Sequence, residues 1–225
     1  MSSLQTWKEQ VARFSSHFRF VIYDRLGHGR SERQASYEAD YFENRAEELG
    51  EFIAELGLGS VDICGLCEGG AVALMFASSW PQSVRTLILS SVGYYGDDRT
   101  IEKCEKYFHP WAELSDPVRN RLIRDHGEDY AMLKWEAVRK AKPYVWSRAY
   151  DLRSILGSIK SPALLMGGDR DQFFGIEHAI AAYNEIEHSE LCILPKAGHF
   201  LNEEVPLIFN QIAVNFLRRH ASLSG

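Results

Sequence analysis

Cysteine is scarce: four residues among 225 are too few for a disulfide-built scaffold and point to reduced thiols in a cytoplasmic setting. Basic charge is not in excess either. Lys and Arg number 25 against 31 Asp and Glu, a net charge of −6, which argues against a nucleic-acid surface. No apolar run approaches the roughly 18 residues of a membrane span. The opening Met-Ser-Ser-Leu-Gln-Thr-Trp-Lys lacks the apolar core of a signal peptide, so no membrane partner is expected. No linker rich in Pro, Gly or Ser, no repeat and no low-complexity tract divides the chain. Disorder, collagen and coiled coil are thereby excluded. What is there is ordinary globular composition, 45% hydrophobic and 25% charged. The length suits one domain with an inserted subdomain.

The apolar pattern alternates between two periods. Residues 4–16 predict a helix, followed by a strand at Phe18-Arg19-Phe20-Val21-Ile22-Tyr23 and a Gly-rich turn over 24–31. Phe42, Ala46, Leu49, Ile53 and Leu56 recur at steps of four and three, one face of a helix over 40–57 that Gly57 and Gly59 stop. Short strands follow at 61–64, 85–90, 163–166 and 191–194, with helices at 69–79, about 176–186 and about 204–219. Strands alternating with helices imply βαβ units and a parallel sheet. The stretch 94–155 breaks the alternation, reads as helical, and holds ten of the chain's 27 aromatic residues. It is read as an insertion over a core formed by 1–93 and 156–225. Its rings serve as a small core of their own, as a pocket roof, or as both.

The strongest chemical signal is Gly65-Leu66-Cys67-Glu68-Gly69-Gly70, between a strand and a small-residue helix. It has the form of a nucleophile elbow, G-x-S-x-G, with cysteine in place of serine. A nucleophile on so sharp a turn sits in a strained backbone conformation, and glycines two residues either side relieve the crowding. The helix N-terminus beneath it favours a thiolate. The backbone N–H of Glu68 points where an oxyanion develops. Two later loops complete the pattern. Gly167-Gly168-Asp169-Arg170-Asp171 and Ala197-Gly198-His199-Phe200 each follow a strand directly, the place where α/β sheets put their sites.

In this order the motifs resemble the α/β-hydrolase superfamily over essentially the whole chain. Asp24-x-x-Gly27-x-Gly29-x-Ser31, the elbow, Gly168-x-x-Asp171 and Gly198-His199 carry the resemblance. A cysteine at the elbow is similar to dienelactone hydrolases and some thioesterases. The resemblance implies an α/β-hydrolase fold with a mostly parallel sheet, flanking helices and a helical cap. It also implies nucleophilic acyl transfer on an ester, thioester or lactone: Cys67 as nucleophile, His199 as base and Asp171 as the acid that orients it. A small-molecule acyl substrate is the expected partner. An acyltransferase of the same fold and a non-catalytic ligand-binding relative are the alternatives.

Each residue has a competitor. Asp169 stands two positions from Asp171, and the family pattern favours Asp171. His28 lies in a Gly-rich turn that local turn chemistry explains. The Glu68 side chain faces the pocket or simply favours the helix N-terminus. Cys64 and Cys67 spell C-x-x-C, but no second Cys or His pair at metal spacing accompanies them. Cys64 is expected to be buried packing. With no phosphate-cradling G-x-G-x-x-G either, no cofactor and no metal are implied. The family's third strand normally lies between 18–23 and 61–65 and leads into a loop that supplies a second oxyanion donor. This sequence contains neither, so the expectation is a native start upstream of Met1, a rearranged sheet, or a weakly active chain.

Overall fold

The structure, a computed structural model, describes residues 1–221 apart from Ala35, Ala39 and Pro143. The chain opens on a 3₁₀ turn, Leu4–Trp7, and continues as helix α1, Lys8–Phe14. Helix α2 spans Tyr41–Glu55, strand β1 Val61–Leu66, helix α3 Glu68–Ser79 and strand β2 Val84–Ser90. Then come helices α4 (Asp98–Tyr107), α5 (Asp116–His126), α6 (Glu128–Ala141) and α7 (Arg153–Leu156). Strand β3 (Ala163–Gly168), helix α8 (Ile176–Glu185), strand β4 (Ser189–Leu194) and helices α9 (Leu201–Glu204) and α10 (Pro206–Ala221) complete the order. The helix expected over about 204–219 is α10, which opens on Pro206, a residue suited to a first helical position because its missing N–H has no partner to lose there; the short α9 precedes it. No described helix is long and apolar enough to cross a membrane.

The four strands form one parallel sheet in the order β1-β2-β3-β4. Successive side chains on a strand point to opposite faces, and β2 shows what that achieves. Leu87 and Leu89 join the core beneath α2 and α3. Ile88, between them, joins the core beneath α1 and α10 with Leu164 and Met166 of β3. The predicted face of α2 (Phe42, Ala46, Leu49, Ile53) is buried, whereas Leu56 is 38% exposed. Helices α4 to α6 and the start of α7 lie in the stretch 94–155, between β2 and β3. Its two ends are stitched together by an antiparallel bridge between Tyr95 and Asp151 and by backbone bonds from Leu152 to Tyr94 (2.7 Å) and from Gly96 to Tyr150 (2.9 Å).

The strand expected at 18–23 does not form. Phe18–Tyr23 runs without ladder pairing, because a cleft of about 450 Å³ separates it from the outer edge of β1. A strand exists only through a neighbour that takes its N–H and C=O groups. The segment is held by its rings instead: Tyr23 stacks on Phe52 of α2 at 4.3 Å, and Phe20 meets Phe14 of α1 edge-on at 5.3 Å. Cys64 of β1 lines this cleft and is half-buried rather than sealed in the core.

The unpaired edge has a measurable consequence. Alternate amides of β1 face the cleft, while β2 is paired on both sides. Hydrogen exchange followed by NMR should show the cleft-facing amides of β1 exchanging at least tenfold faster than those of β2. Equal protection along both strands would mean that the cleft is closed in solution.

Candidate active site

Cys67 caps α3 with φ 52° and ψ −121°, on the positive-φ side that a residue with a Cβ adopts only under constraint. The constraint is backbone packing. A Cβ on Gly65 would lie 2.5 Å from the Cα of Gly70, and one on Gly70 would lie 2.3 Å from Val92 Cγ2 and 3.1 Å from the Gly65 carbonyl oxygen. The strand and the first turn of the helix therefore close on each other, and Cys67 stands at the apex. Gly69, which the G-x-C-x-G pattern puts in the crowded role, would meet nothing with a Cβ. The crowded glycine is one residue later. The Cys67 N–H donates to the Ser90 carbonyl (2.9 Å), and its own carbonyl accepts from Gly70 (3.0 Å) and Ala71 (3.1 Å).

The loops after β3 and β4 bring the other two predicted residues to the same place. His199 Nδ1 lies 2.9 Å from Asp171 Oδ2, and both side chains are buried. Asp171 Oδ1 accepts from the N–H groups of Phe173 (2.8 Å) and Phe174 (3.1 Å). Burial opposes its charge, but His199 and these donors hold the carboxyl below its ordinary value. Asp169 faces elsewhere, accepting from the Lys196 N–H at 2.6 Å. Burial also opposes a charged His199. The neighbouring Cys67 sulfur and then Asp171 outweigh it and lift the imidazole to about 9. With Nδ1 held by Asp171, Nε2 is the ring nitrogen free for chemistry.

Sequence reasoning missed the side chains that hold these loops. Glu204 of α9 receives the N–H of Gly198 (2.7 Å) and of Phe200 (3.0 Å), bracketing His199. Gly168 leaves no room for a Cβ, which would fall 2.2 Å from the Ala197 carbonyl, so the two loops touch. The Glu68 side chain does more than favour a helix terminus. It accepts from Arg25 Nη2 (2.8 Å) and the Tyr41 hydroxyl (2.6 Å). Burial opposes its charge, yet Arg25 keeps the carboxyl far below the usual range. This pins the Gly-rich turn against the elbow. A signal for Glu204 was in the sequence, an acid five residues after His199 in a helix start; nothing there pointed to the pairing of Arg25 with Glu68.

Above the elbow lies a cavity of about 110 Å³ that Cys67, Glu68, His28 and His199 share with Tyr107, Phe108, Trp146, Phe173 and Phe174. The inserted aromatics play both expected parts. Phe108 stacks on Trp135 at 4.7 Å inside the insertion and meets Trp146 edge-on at 4.6 Å at the cavity. Met1 and Ser2 also reach the cavity wall. His28 is buried, with Nδ1 3.2 Å from the Leu26 carbonyl, as turn chemistry predicts. No group of three or more metal-ligating side chains occurs among the described residues.

Known proteins share this arrangement of chain. The sequence pattern of the group described as "Alpha/beta hydrolase family" matches residues 4–212. The "Putative carbamate hydrolase RutD" of Agrobacterium fabrum is 27% identical over an alignment covering 94% of this chain and 87% of that protein. "Serine hydrolase BPHL" of Homo sapiens is 26% identical, covering 89% and 70%. The solved enol-lactonase of Burkholderia xenovorans has the same fold, with a TM-score of 0.75 at 22% identity over 96% of this chain and 87% of its own.

Two outcomes follow from the site's geometry. Gly70→Ala should abolish soluble folded protein or lower the thermal midpoint by more than about 10 °C, while Gly69→Ala shifts it by less than about 2 °C; thermal unfolding by circular dichroism separates them. The second concerns acid. Burial first, then nearby cations, keeps His28 well below its ordinary value and His126 at about 3; burial also lowers His178. Each stays neutral in the fold yet binds a proton near 6.5 when unfolded, so stability falls as pH drops from about 6.5 towards 3. His199 acts oppositely: its contribution is complete below 6.5 and lost as pH rises through about 9. Urea midpoints should therefore peak near neutrality, and a midpoint that holds or rises from pH 6.5 to 4 contradicts this.

Proposed function

The chain belongs to the alpha/beta hydrolase family, and we propose that within it this protein hydrolyses a small carboxylic ester, thioester or lactone through a cysteine nucleophile. The observation that carries the reading is the convergence on one cavity of Cys67 at a positive-φ apex and of His199 held by Asp171 at 2.9 Å. One relative is named a serine hydrolase; here the elbow residue is sulfur-bearing, which suits acyl carbonyls with good leaving groups.

The steps follow from the geometry. The Cys67 sulfur attacks the acyl carbon, and the carbonyl electrons move onto oxygen, where the Glu68 N–H faces them. The tetrahedral adduct collapses, the bond to the leaving group breaks, and His199 Nε2 delivers its proton to that group. A thioester of Cys67 remains. His199, now neutral, takes a proton from water, and the resulting hydroxide attacks the acyl carbon. Sulfur leaves, the acid departs, and His199 is recharged. Asp171 keeps Nδ1–H directed and stabilises the cationic ring without taking its proton. The cavity's volume and its aromatic wall favour a short apolar acyl group.

p-Nitrophenyl acetate and a short-chain acyl thioester test this reading. Wild type should show a burst of one acyl group per chain, labelled at Cys67 by mass spectrometry. Cys67→Ala should lose the burst and at least about 10³-fold in kcat/KM, and Asp171→Asn about 10²–10⁴-fold. Turnover that survives Cys67→Ala would overturn the proposal. Ligand binding without turnover in wild type would make the protein a binder of the same fold. Acyl transfer to an added amine or alcohol in preference to water would make it a transferase.

A further inference from the structure

The cavity contains a second thiol that acyl transfer does not use. Cys104 sits on α4 in the inserted stretch and is only 3% exposed. It lines the same cavity as Cys67. The two also share one apolar cluster, with Phe173 and Phe174 between the insertion and the acid loop. Both thiols are free. The remaining two, Cys64 and Cys192, lie on β1 and β4 and pack against the core of the opposite face. The Cys67 sulfur therefore shares its cavity with one other cysteine, presented by the element that covers it.

Resting on the reading of Cys67 as nucleophile, we propose that Cys67 and Cys104 are a redox pair: peroxide oxidises Cys67, and Cys104 resolves it to a disulfide that closes the site and ties α4 to the elbow. In the first step the Cys67 thiolate attacks one oxygen of hydrogen peroxide. The O–O bond breaks, and the departing hydroxide takes the His199 proton and leaves as water, giving a sulfenic acid on Cys67. In the second step the Cys104 sulfur attacks the Cys67 sulfur and the S–O bond breaks. The Cys104 thiol proton accompanies the departing hydroxide as a second water. Two thiols and one peroxide become one disulfide and two waters, with sulfur oxidised and peroxide oxygen reduced. Burial, and then the charge of Cys67, push the Cys104 thiol up, so Cys104 is the resolving partner and not the first to react. The disulfide intercepts the sulfenic acid before the irreversible sulfinic stage.

The test uses the intact protein with hydrogen peroxide as the probe. After brief treatment at neutral pH, quenching and alkylation, peptide mapping should find a linked peptide joining Cys67 to Cys104. Cys64 and Cys192 should be recovered as alkylated thiols. Activity should be lost by at least tenfold and return to most of its starting value with dithiothreitol. In Cys104→Ser and Cys104→Ala, each compared with its own untreated activity, the loss should become irreversible and Cys67 should appear as sulfinic acid. Should those variants fail to fold, mapping of wild type alone decides. An oxidised wild type in which Cys104 stays alkylatable while Cys67 is sulfinic, or linked to Cys64, overturns the proposal. Failure of the acyl-transfer reading shows separately, as turnover retained by Cys67→Ala, whatever the peptide map contains.

Discussion

The site depends on one steric contact, the backbone of Gly65 lying against that of Gly70. Nothing chemical happens at either residue. Their closeness draws the end of β1 and the first turn of α3 together and forces the residue between them past the usual turn geometry. A φ of 52° at Cys67 costs on the order of 1–3 kcal/mol in isolation. The bonds at Ser90, Gly70 and Ala71 and the packing of Val92 offset it. The result is a thiol at the mouth of the sheet with a helix N-terminus beneath it and an N–H beside it. Every other feature of the site is placed relative to that apex.

The second layer is electrostatic and is built from loops. Loops are the least constrained parts of an α/β protein, so the acid and the histidine need restraints of their own. Asp171 is restrained by the two N–H groups that follow it, and His199 by Asp171 on one side and the Glu204 bracket on the other. Glu68 shows the same logic from the opposite direction. Its carboxylate is paired with Arg25, and the Tyr41 hydroxyl donates to it. The ion pair compensates that charge beside the cavity and fastens the Gly-rich turn to the elbow.

Much of this was legible in the residues. The G-x-C-x-G pattern between a strand and a small-residue helix identified the elbow, and the positions of Asp171 and His199 directly after later strands foretold their meeting, since strand ends in a parallel sheet converge on one rim. The hydrophobic periods located each paired strand and α2. Two things were misread, for physical reasons. Gly69 was assigned the crowding that belongs to Gly70, because the pattern counts residues while steric overlap depends on which Cβ vector points at the strand. The segment 18–23 has a strand's composition, yet composition supplies only the tendency; the ladder needs a partner within about 5 Å, and the cleft intervenes. The pairing of Arg25 with Glu68 was illegible because residues 43 apart in the chain leave no local trace.

The inserted helices show how far one set of rings can serve two ends. An insertion of this size has little interior of its own, and Phe108, Trp135 and Trp146 stack into what there is. Two of these rings, Phe108 and Trp146, also line the cavity, with Phe173 from the loop after β3. Tyr107 and Phe108 belong both to the cluster at the cavity and to the cluster around Trp135, so a change at either ring alters both. Phe173 tightens the coupling further. Its ring meets Tyr107 edge-on at 4.6 Å and His199 at 4.8 Å, while its N–H holds Asp171. One residue thus touches Tyr107 of α4, His199 and Asp171 together. Packing over the cavity and the placement of the Asp171–His199 pair therefore depend on one another through direct contact, and rigid aromatic rings make such contacts more specific than apolar bulk alone.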